Sequence, residues 1–292
     1  MIKNNNLNAF TVDVEDYFQV EAFSSLVEFN DWGKFESRVV KNTHIILDLL
    51  DQHNVKGTFF VLGWVAKKHP YLVKEIAIRG HEVASHGMTH KLIYNQKKEI
   101  FKNETFYSKK LLEDLSQQSV NGYRAATYSI INKSLWALDI LVEAGFKYDS
   151  SIFPMRHDRY GIPDANPVPH VLTTPNGSEI IEFPISTYKT KYFTLPVAGG
   201  GYFRLFPYFL TKWGLRSINE GNTPFVFYIH PWEVDPEQPK IENTTMLTKF
   251  RHYINLSKTK HRLDMLCHDF KMAPIKDVLK ELDLLTDEHH KE

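Results

Sequence analysis

The sequence predicts an α/β fold, and three observations carry that prediction. Strand-like and helix-like segments alternate along all 292 residues. Gly, Pro and Asn punctuate the boundaries between them. No repeat or low-complexity tract divides the chain, so about seven or eight βα units suggest one closed or distorted barrel. With 42% hydrophobic residues, there is enough apolar side chain for a sizeable core.

Taken in order, Leu7–Asp13 reads as a buried strand, and Glu36–Gln52 as a helix with Val39, Val40, Ile46, Leu47 and Leu50 at helical spacing. Gly57–Leu62 is rich in aromatic and β-branched residues and predicts a strand. Pro70–Arg79 predicts a helix, with Pro70 near its start and Gly80 past its end. His81–Ser85 predicts the next strand and Gln96–Leu115 a long polar helix. Val120–Arg124 is a strand, Asn132 the N-cap of a helix ending at Gly145, and Phe146–Asp149 and Glu179–Phe183 are strands. Phe206–Asn219 predicts a helix, Pro224–Ile229 an apolar strand, Thr245–Thr259 and Ile275–Leu285 two closing helices, with a short strand near Phe270. The proline-rich stretch between Phe153 and Pro175 is either an irregular surface loop or a wall of a substrate groove.

Composition narrows the function. Formal net charge is zero, without the basic excess that nucleic-acid or polybasic membrane binding needs. No apolar run approaches a transmembrane helix, and no leader-like segment precedes the first strand, so a cytoplasmic protein is expected. The single cysteine, Cys267, rules out an intrachain disulfide and fits a reducing compartment. His289 and His290 read as a polar tail without a metal role.

Three clusters carry chemistry. His86 and His90, in Ser85-His86-Gly87-Met88-Thr89-His90, are four apart, a spacing that on a helical turn puts both imidazoles on one face within reach of one metal. Asp13, Glu15 and Asp16 gather at the end of an apolar strand, where carboxylates are costly to bury without a cation. Strand alternation points Asp13 and Glu15 to the same face. His230 ends the apolar run Phe225–Ile229 just before Pro231, and its pKa range suits a general acid.

Together, Thr11-Val12-Asp13, Gly57-Thr58-Phe59-Phe60, Gly80-His81-Glu82 running on to His90, Gly122-Tyr123-Arg124 and Ile229-His230-Pro231 resemble the ordered motifs of the polysaccharide deacetylase (NodB-homology, carbohydrate esterase 4-like) family. The resemblance spans about residues 7–232. Asp13–Val20, Tyr148–Pro154 and His230–Glu233 look like the exopolysaccharide-locus subgroup, which has an extra C-terminal region, here about 233–292. Glu182-Phe183-Pro184 and Gly199–Arg204 also resemble subgroup patterns.

The resemblance implies one domain over residues 1–292, a distorted (β/α) barrel of about seven strands, and a divalent metal, usually Zn2+. His86 and His90 match two ligands; the acidic ligand is Glu15, or Asp16 if the chain turns early. Asp13 matches the catalytic base, His230 the acid, Arg124 the residue orienting the base, and Asp149 an aspartate that orients His230. Where the family usually has proline two residues after the arginine, this chain has Ala126, and a backbone N–H near Thr127 or Tyr128 is a candidate oxyanion donor. The implied activity is metal-dependent removal of N-acetyl groups from an amino-sugar polysaccharide or its lipid-linked precursor. Two other readings stay open: an amidohydrolase acting on a small cyclic amide or ureide, and a non-catalytic carbohydrate-binding relative. Trp232 and Tyr202 could stack on a sugar ring or serve the core.

Overall fold

A computed structural model describes residues 6–190 and 192–286; Met1–Asn5 and the His289–His290 tail lie outside them. The strands are β1 (Asn8–Val14), β2 (Thr58–Val61), β3 (Glu82–Ser85), β4 (Gly122–Tyr123), β5 (Tyr148–Asp149), β6 (His170–Thr173), β7 (Glu179–Glu182), β8 (Tyr188–Lys189), β9 (Thr194–Leu195), β10 (Val226–Ile229) and β11 (Met272–Ala273). The helices are α1 (Val39–Gln52), α2 (Gly63–Lys68), α3 (Pro70–Ile78), α4 (Lys98–Ser116), α5 (Trp136–Glu143), α6 (Gly200–Leu205), α7 (Tyr208–Glu220), α8 (Met246–Tyr253), α9 (Leu256–Asp269) and α10 (Ile275–Glu281).

The main sheet runs β10-β1-β2-β3-β4-β5-β7-β6, with β11 paired to the start of β1. Every neighbour pair up to β7 is parallel, and β6 adds an antiparallel edge. Seven parallel strands therefore build the predicted distorted barrel. Among the described residues no strand pair closes it: an isolated parallel bridge, Gly199 with Tyr228, and irregular chain fill the gap between β7 and β10, where Tyr228 N–H donates to Ala198 O at 2.9 Å and Val226 N–H to Ser186 Oγ at 2.9 Å. That close approach requires glycine: at Gly199, with φ +136, a Cβ would sit 2.0 Å from Tyr228 O. The glycine run therefore serves packing against β10.

Period-two alternation sorts the strand residues. Phe10, Val12 and Val14 join Phe59, Val61 and Val83 in the outer core under helices such as α1, which buries Val39, Ile46, Leu47 and Leu50. Ala9, Phe60, Ala84 and Tyr228 face inward, where α10 plugs the far end with Ile275, Val278 and Leu279. The plug is hydrogen-bonded: Ile275 N–H donates to Thr58 Oγ1 at 2.7 Å and Lys276 N–H to Glu82 Oε2 at 3.2 Å. A carboxylate at a helix N-terminus meets unsatisfied N–H groups there.

Three expectations need correction. Asn132 starts a short 3-10 turn rather than capping a helix, and α5 begins only at Trp136. The helix expected over Thr245–Thr259 is two helices, broken at Ile254–Asn255, where Asn255 takes φ +53. The break follows from a buried arginine: Arg204 donates to the carbonyls of Arg251, His252 and Ile254 at 3.1, 2.7 and 3.1 Å, satisfying groups a helix end leaves free. Finally, His86–His90 is not helical: Gly87 has φ +73 and His90 φ +53, so a looped turn brings the imidazoles together.

Candidate active site

The chemistry-bearing side chains gather past the C-terminal ends of parallel strands, at the open end of the barrel. Asp13 stands on β1, Glu15 just beyond it, His86 and His90 after β3, Arg124 after β4 and His230 after β10. Donor atoms of Glu15, His86 and His90 all lie within 4.8 Å of one another.

Glu15 Oε2 is 2.6 Å from His90 Nε2 and 3.9 Å from His86 Nε2. The short contact is not aligned as a hydrogen bond, and Oε2 is buried without any other partner. His86 Nδ1 lies 2.8 Å from Arg124 O, so Nδ1 carries the proton and the Nε2 lone pair faces the cluster. Burial also pushes His86 down to about 4, which keeps it neutral at pH 7. Burial alone would raise Glu15; the imidazoles of His90, His230 and His86 overcome it and hold the carboxyl at about 2. An ionised carboxylate with an unpartnered buried oxygen, a neutral imidazole and a second imidazole, converging on one point, fit a divalent cation. Asp16, the alternative ligand, is committed elsewhere: its carboxylate accepts from Ser37 Oγ at 2.7 Å and from the N–H groups of Arg38 and Val39 at 3.1 and 3.3 Å, capping α1.

Asp13 Oδ1 accepts from Arg124 Nη1 at 2.7 Å, while Oδ2 lies 3.9 Å from His230 Nε2. Arg124 is fully buried and held on all sides, by Thr11 Oγ1 at 2.7 Å, Ser150 O and Oγ at 3.1 and 2.9 Å, and the Phe60 ring at 4.1 Å.

His230 takes its Nδ1 partner from Glu233 Oε1 at 2.7 Å, not from Asp149. Glu233 also accepts the His230 N–H at 3.1 Å, and its other oxygen accepts from Arg204 Nε. Burial would lower His230; the Glu233 carboxylate, then Glu15 and Asp13, raise it to about 9. Asp149 sits behind the site, accepting from Ser151 Oγ at 2.6 Å and facing Glu182. Glu233 and Arg204 are the residues that sequence reasoning missed. The available signal was spacing: a Glu three residues after His230 closes a capping box on the turn Pro231–Val234.

These groups open into a cavity of about 600 Å³, lined also by Thr127, Tyr128, Tyr202 and Arg156–Tyr160. The proline-rich stretch therefore forms one cavity wall. Thr127 and Tyr128 both have φ +53. The Tyr128 N–H is taken by Ala125 O at 3.1 Å. Trp232 is not a free platform: its ring stacks on His230 at 5.3 Å and on His252 at 4.2 Å, and its Nε1–H points to Glu15 Oε1 at 3.3 Å.

The family model for polysaccharide deacetylase matches residues 27–148, which include His86, His90 and Arg124. A domain of unknown function (DUF3473) matches residues 150–280, which include Arg204, His230 and Glu233. Over 78 residues the chain is 42% identical to a chitooligosaccharide deacetylase of Rhizobium leguminosarum, covering 24% of this chain and 36% of that protein. Over 68 residues it is 38% identical to a peptidoglycan-N-acetylglucosamine deacetylase of Bacillus cereus, covering 23% and 32%. The chain thus spans about a third of the length of these curated relatives. Among solved structures, a Mycobacterium smegmatis protein assigned to the polysaccharide deacetylases superposes with TM-score 0.63 at 19% identity, over 98% of this chain and 93% of that one. The PuuE allantoinase gives 0.61 at 12% identity, over 98% and 94%. Both likenesses speak to the fold.

Proposed function

We propose that the chain, whose residues 27–148 match the polysaccharide deacetylase model, hydrolyses N-acetyl groups on an amino-sugar polysaccharide or its lipid-linked precursor and releases acetate. Glu15, His86 and His90 would hold a divalent ion, with Zn2+ best suited to this oxygen–nitrogen donor set. Bound there, the ion would polarise the acetyl carbonyl and acidify a water. The observation that supports this reading is the convergence of that cluster with the Asp13–Arg124 and His230–Glu233 pairs at one cavity floor.

Each residue then has a distinct task. Asp13 accepts the water's proton on Oδ2, since Arg124 occupies Oδ1 and fixes the carboxylate in place. His230 donates from Nε2 to the departing sugar amine; Glu233 holds its Nδ1 and favours the protonated ring. Arg204 holds Glu233. Asp149 acts at one remove, through Ser151, whose Oγ accepts the Ala125 N–H at 2.8 Å beside Arg124. We read the two matched regions as one working unit, because His86, His90 and Arg124 lie in the first and His230 in the second, with Asp13 and Glu15 on the strand end before both. No helix among the described residues is long and apolar enough to cross a membrane. A cytoplasmic site of action and a role in exopolysaccharide synthesis belong to the same proposal.

The test is acetate release from N-acetylglucosamine oligomers by metal-loaded protein. Asp13→Asn should retain the metal and lose about 100- to 10,000-fold in turnover. Full activity in that variant would remove Asp13 as the base.

A further inference from the structure

The cavity wall carries charge that the reaction itself does not use. Arg156 and Arg159, on the loop after β5, and Arg251, on α8, all line the cavity that holds Asp13 and His230. All three are exposed. Among the described residues, no carboxylate lies within ion-pair distance of any of them. Four other arginines are claimed by acids, Arg38 by Asp235, Arg79 by Glu75, Arg124 by Asp13 and Arg204 by Glu233; Arg262 donates to the carbonyls of Phe203 and Arg204, and Arg216, on α7 and outside this cavity, has no acid within ion-pair distance among the described residues. The acids nearest the cavity mouth, Asp158 and Glu21, leave the three guanidiniums unpaired. Formal net charge is zero, so the cluster does not follow from a generally basic surface.

The backbone beneath these guanidiniums is fixed. Arg159 O accepts from Tyr94 Oη at 3.0 Å, and Arg159 N–H donates to His157 Nδ1 at 3.2 Å. The His157 ring stacks on Tyr160 at 3.9 Å, and Tyr160 on Phe153 at 5.3 Å, in a pile of near-parallel rings. Arg251 O accepts from Arg204 Nη2 at 3.1 Å, and Arg204 is the residue that holds Glu233 against His230. The basic wall and the proton donor thus share one support. Trp232 and Tyr160, two of the aromatic residues lining the cavity, are already covered by protein rings.

We propose that Arg156, Arg159 and Arg251 bind an oxyanion carried by the substrate beside its N-acetylated sugar, so that the preferred substrate is an acidic saccharide and not a neutral oligomer. This rests on the deacetylase reading and narrows its substrate class. A planar guanidinium matches two oxygens of a carboxylate or phosphate at once. Unpaired charges of one sign in a cleft also raise the local concentration of an anionic ligand. The oxyanion is a uronate carboxylate or a sugar-linked diphosphate, and all three arginines lie in the region matching the domain of unknown function.

The experiment separates the two levels. Binding is measured by calorimetry on the metal-loaded Asp13→Asn protein, with three probes: neutral chitotetraose, a hyaluronan tetrasaccharide that alternates N-acetylglucosamine with glucuronate, and UDP-N-acetylglucosamine. At least one anionic probe should bind about tenfold or more tighter than chitotetraose, with the advantage shrinking as salt rises. The better anionic probe identifies carboxylate or diphosphate. In the same protein carrying Arg156→Gln, Arg159→Gln and Arg251→Gln, the advantage should vanish while chitotetraose binding stays within about threefold. Equal binding of all probes overturns the proposal, as does an anionic preference that survives the triple change. The deacetylase reading is checked separately, by acetate release from each of the three probes with the unsubstituted metal-loaded protein; release from none of them overturns that reading.

Discussion

Glu15 and Asp149 are both carboxylates buried near the ends of parallel strands, 1% and 0% exposed, and their ionisation is displaced in opposite directions. Burial pushes both upward. Around Glu15 the imidazoles of His90, His230 and His86 reverse that push and hold it at about 2. Around Asp149 the nearest titratable group is another acid, Glu182; burial carries Asp149 to about 6 and Glu182 well above its usual range. The buried cation within reach, Arg124, gives its hydrogen bonds to Asp13, Thr11 and Ser150. Depth therefore does not decide charge in this barrel. The allocation of a few cationic side chains does, and it leaves one acid ionised and the other pair sharing a proton.

The most severe way to break this contrast is to strip Glu15 of its partners. His90→Ala should lower bound metal from about one ion per chain to a small fraction, and acetate release by about 1,000-fold. Elemental analysis and a turnover assay check both. Retained metal would mean that the cluster is not the site.

A milder change acts through the neighbour of His230. Glu233→Gln should leave metal content unchanged and cost about 10- to 100-fold in kcat, because Arg204 and His230 both lose a buried anion. An unchanged kcat would show that the Glu233 contact plays no part in proton donation.

Smaller still is the effect on the acid pair. Its raised pKa values mean that the folded state keeps protons the unfolded chain releases. The stability from that pair is complete below the ordinary carboxylate pKa, near 4, and is lost as pH rises through about 6. Glu182→Gln should therefore gain on the parent between pH 4 and pH 7, by roughly 1–3 kcal/mol, in urea unfolding at the two pH values. A pH-independent difference would sink the shared proton.

The smallest expected effect lies at the cavity wall. Thr127 sits at φ +53, a conformation that costs an L-residue about 1–2 kcal/mol and glycine little. Thr127→Gly should stabilise the protein by less than about 1 kcal/mol after the glycine's larger chain entropy is subtracted.

Much of the fold was legible because parallel strands buried on both faces leave continuous apolar runs, as in β1, β2 and β10. Asp13 and His230 were visible because polar groups at the end of an apolar strand stand out, whereas Arg124, after the two-residue β4, was marked only by the family resemblance. The conformation between His86 and His90 was not legible, since a four-residue spacing suits a helix as well as a loop with two left-handed residues. The helix break at Asn255 and the Glu233–Arg204 support were hidden for a different reason. Both depend on one buried guanidinium whose partners lie 29 to 50 positions away, beyond any local period. The partner of Asp149 was misjudged because nothing in Asp149-Ser150-Ser151 tells which neighbouring strand faces it.

The placement of β1 has a consequence for how the molecule comes into being. Thr11 bonds to Phe227 across 216 positions, so β1 gains β2 early and its other neighbour, β10, very late. On a ribosome, Glu15, His86 and His90 emerge together well before β10 and His230. Until β10 arrives, β1 presents an open strand edge, the kind of surface on which nascent chains pair wrongly. The order of synthesis thus makes Glu15, His86 and His90 first and delivers His230 with the strand that covers this edge.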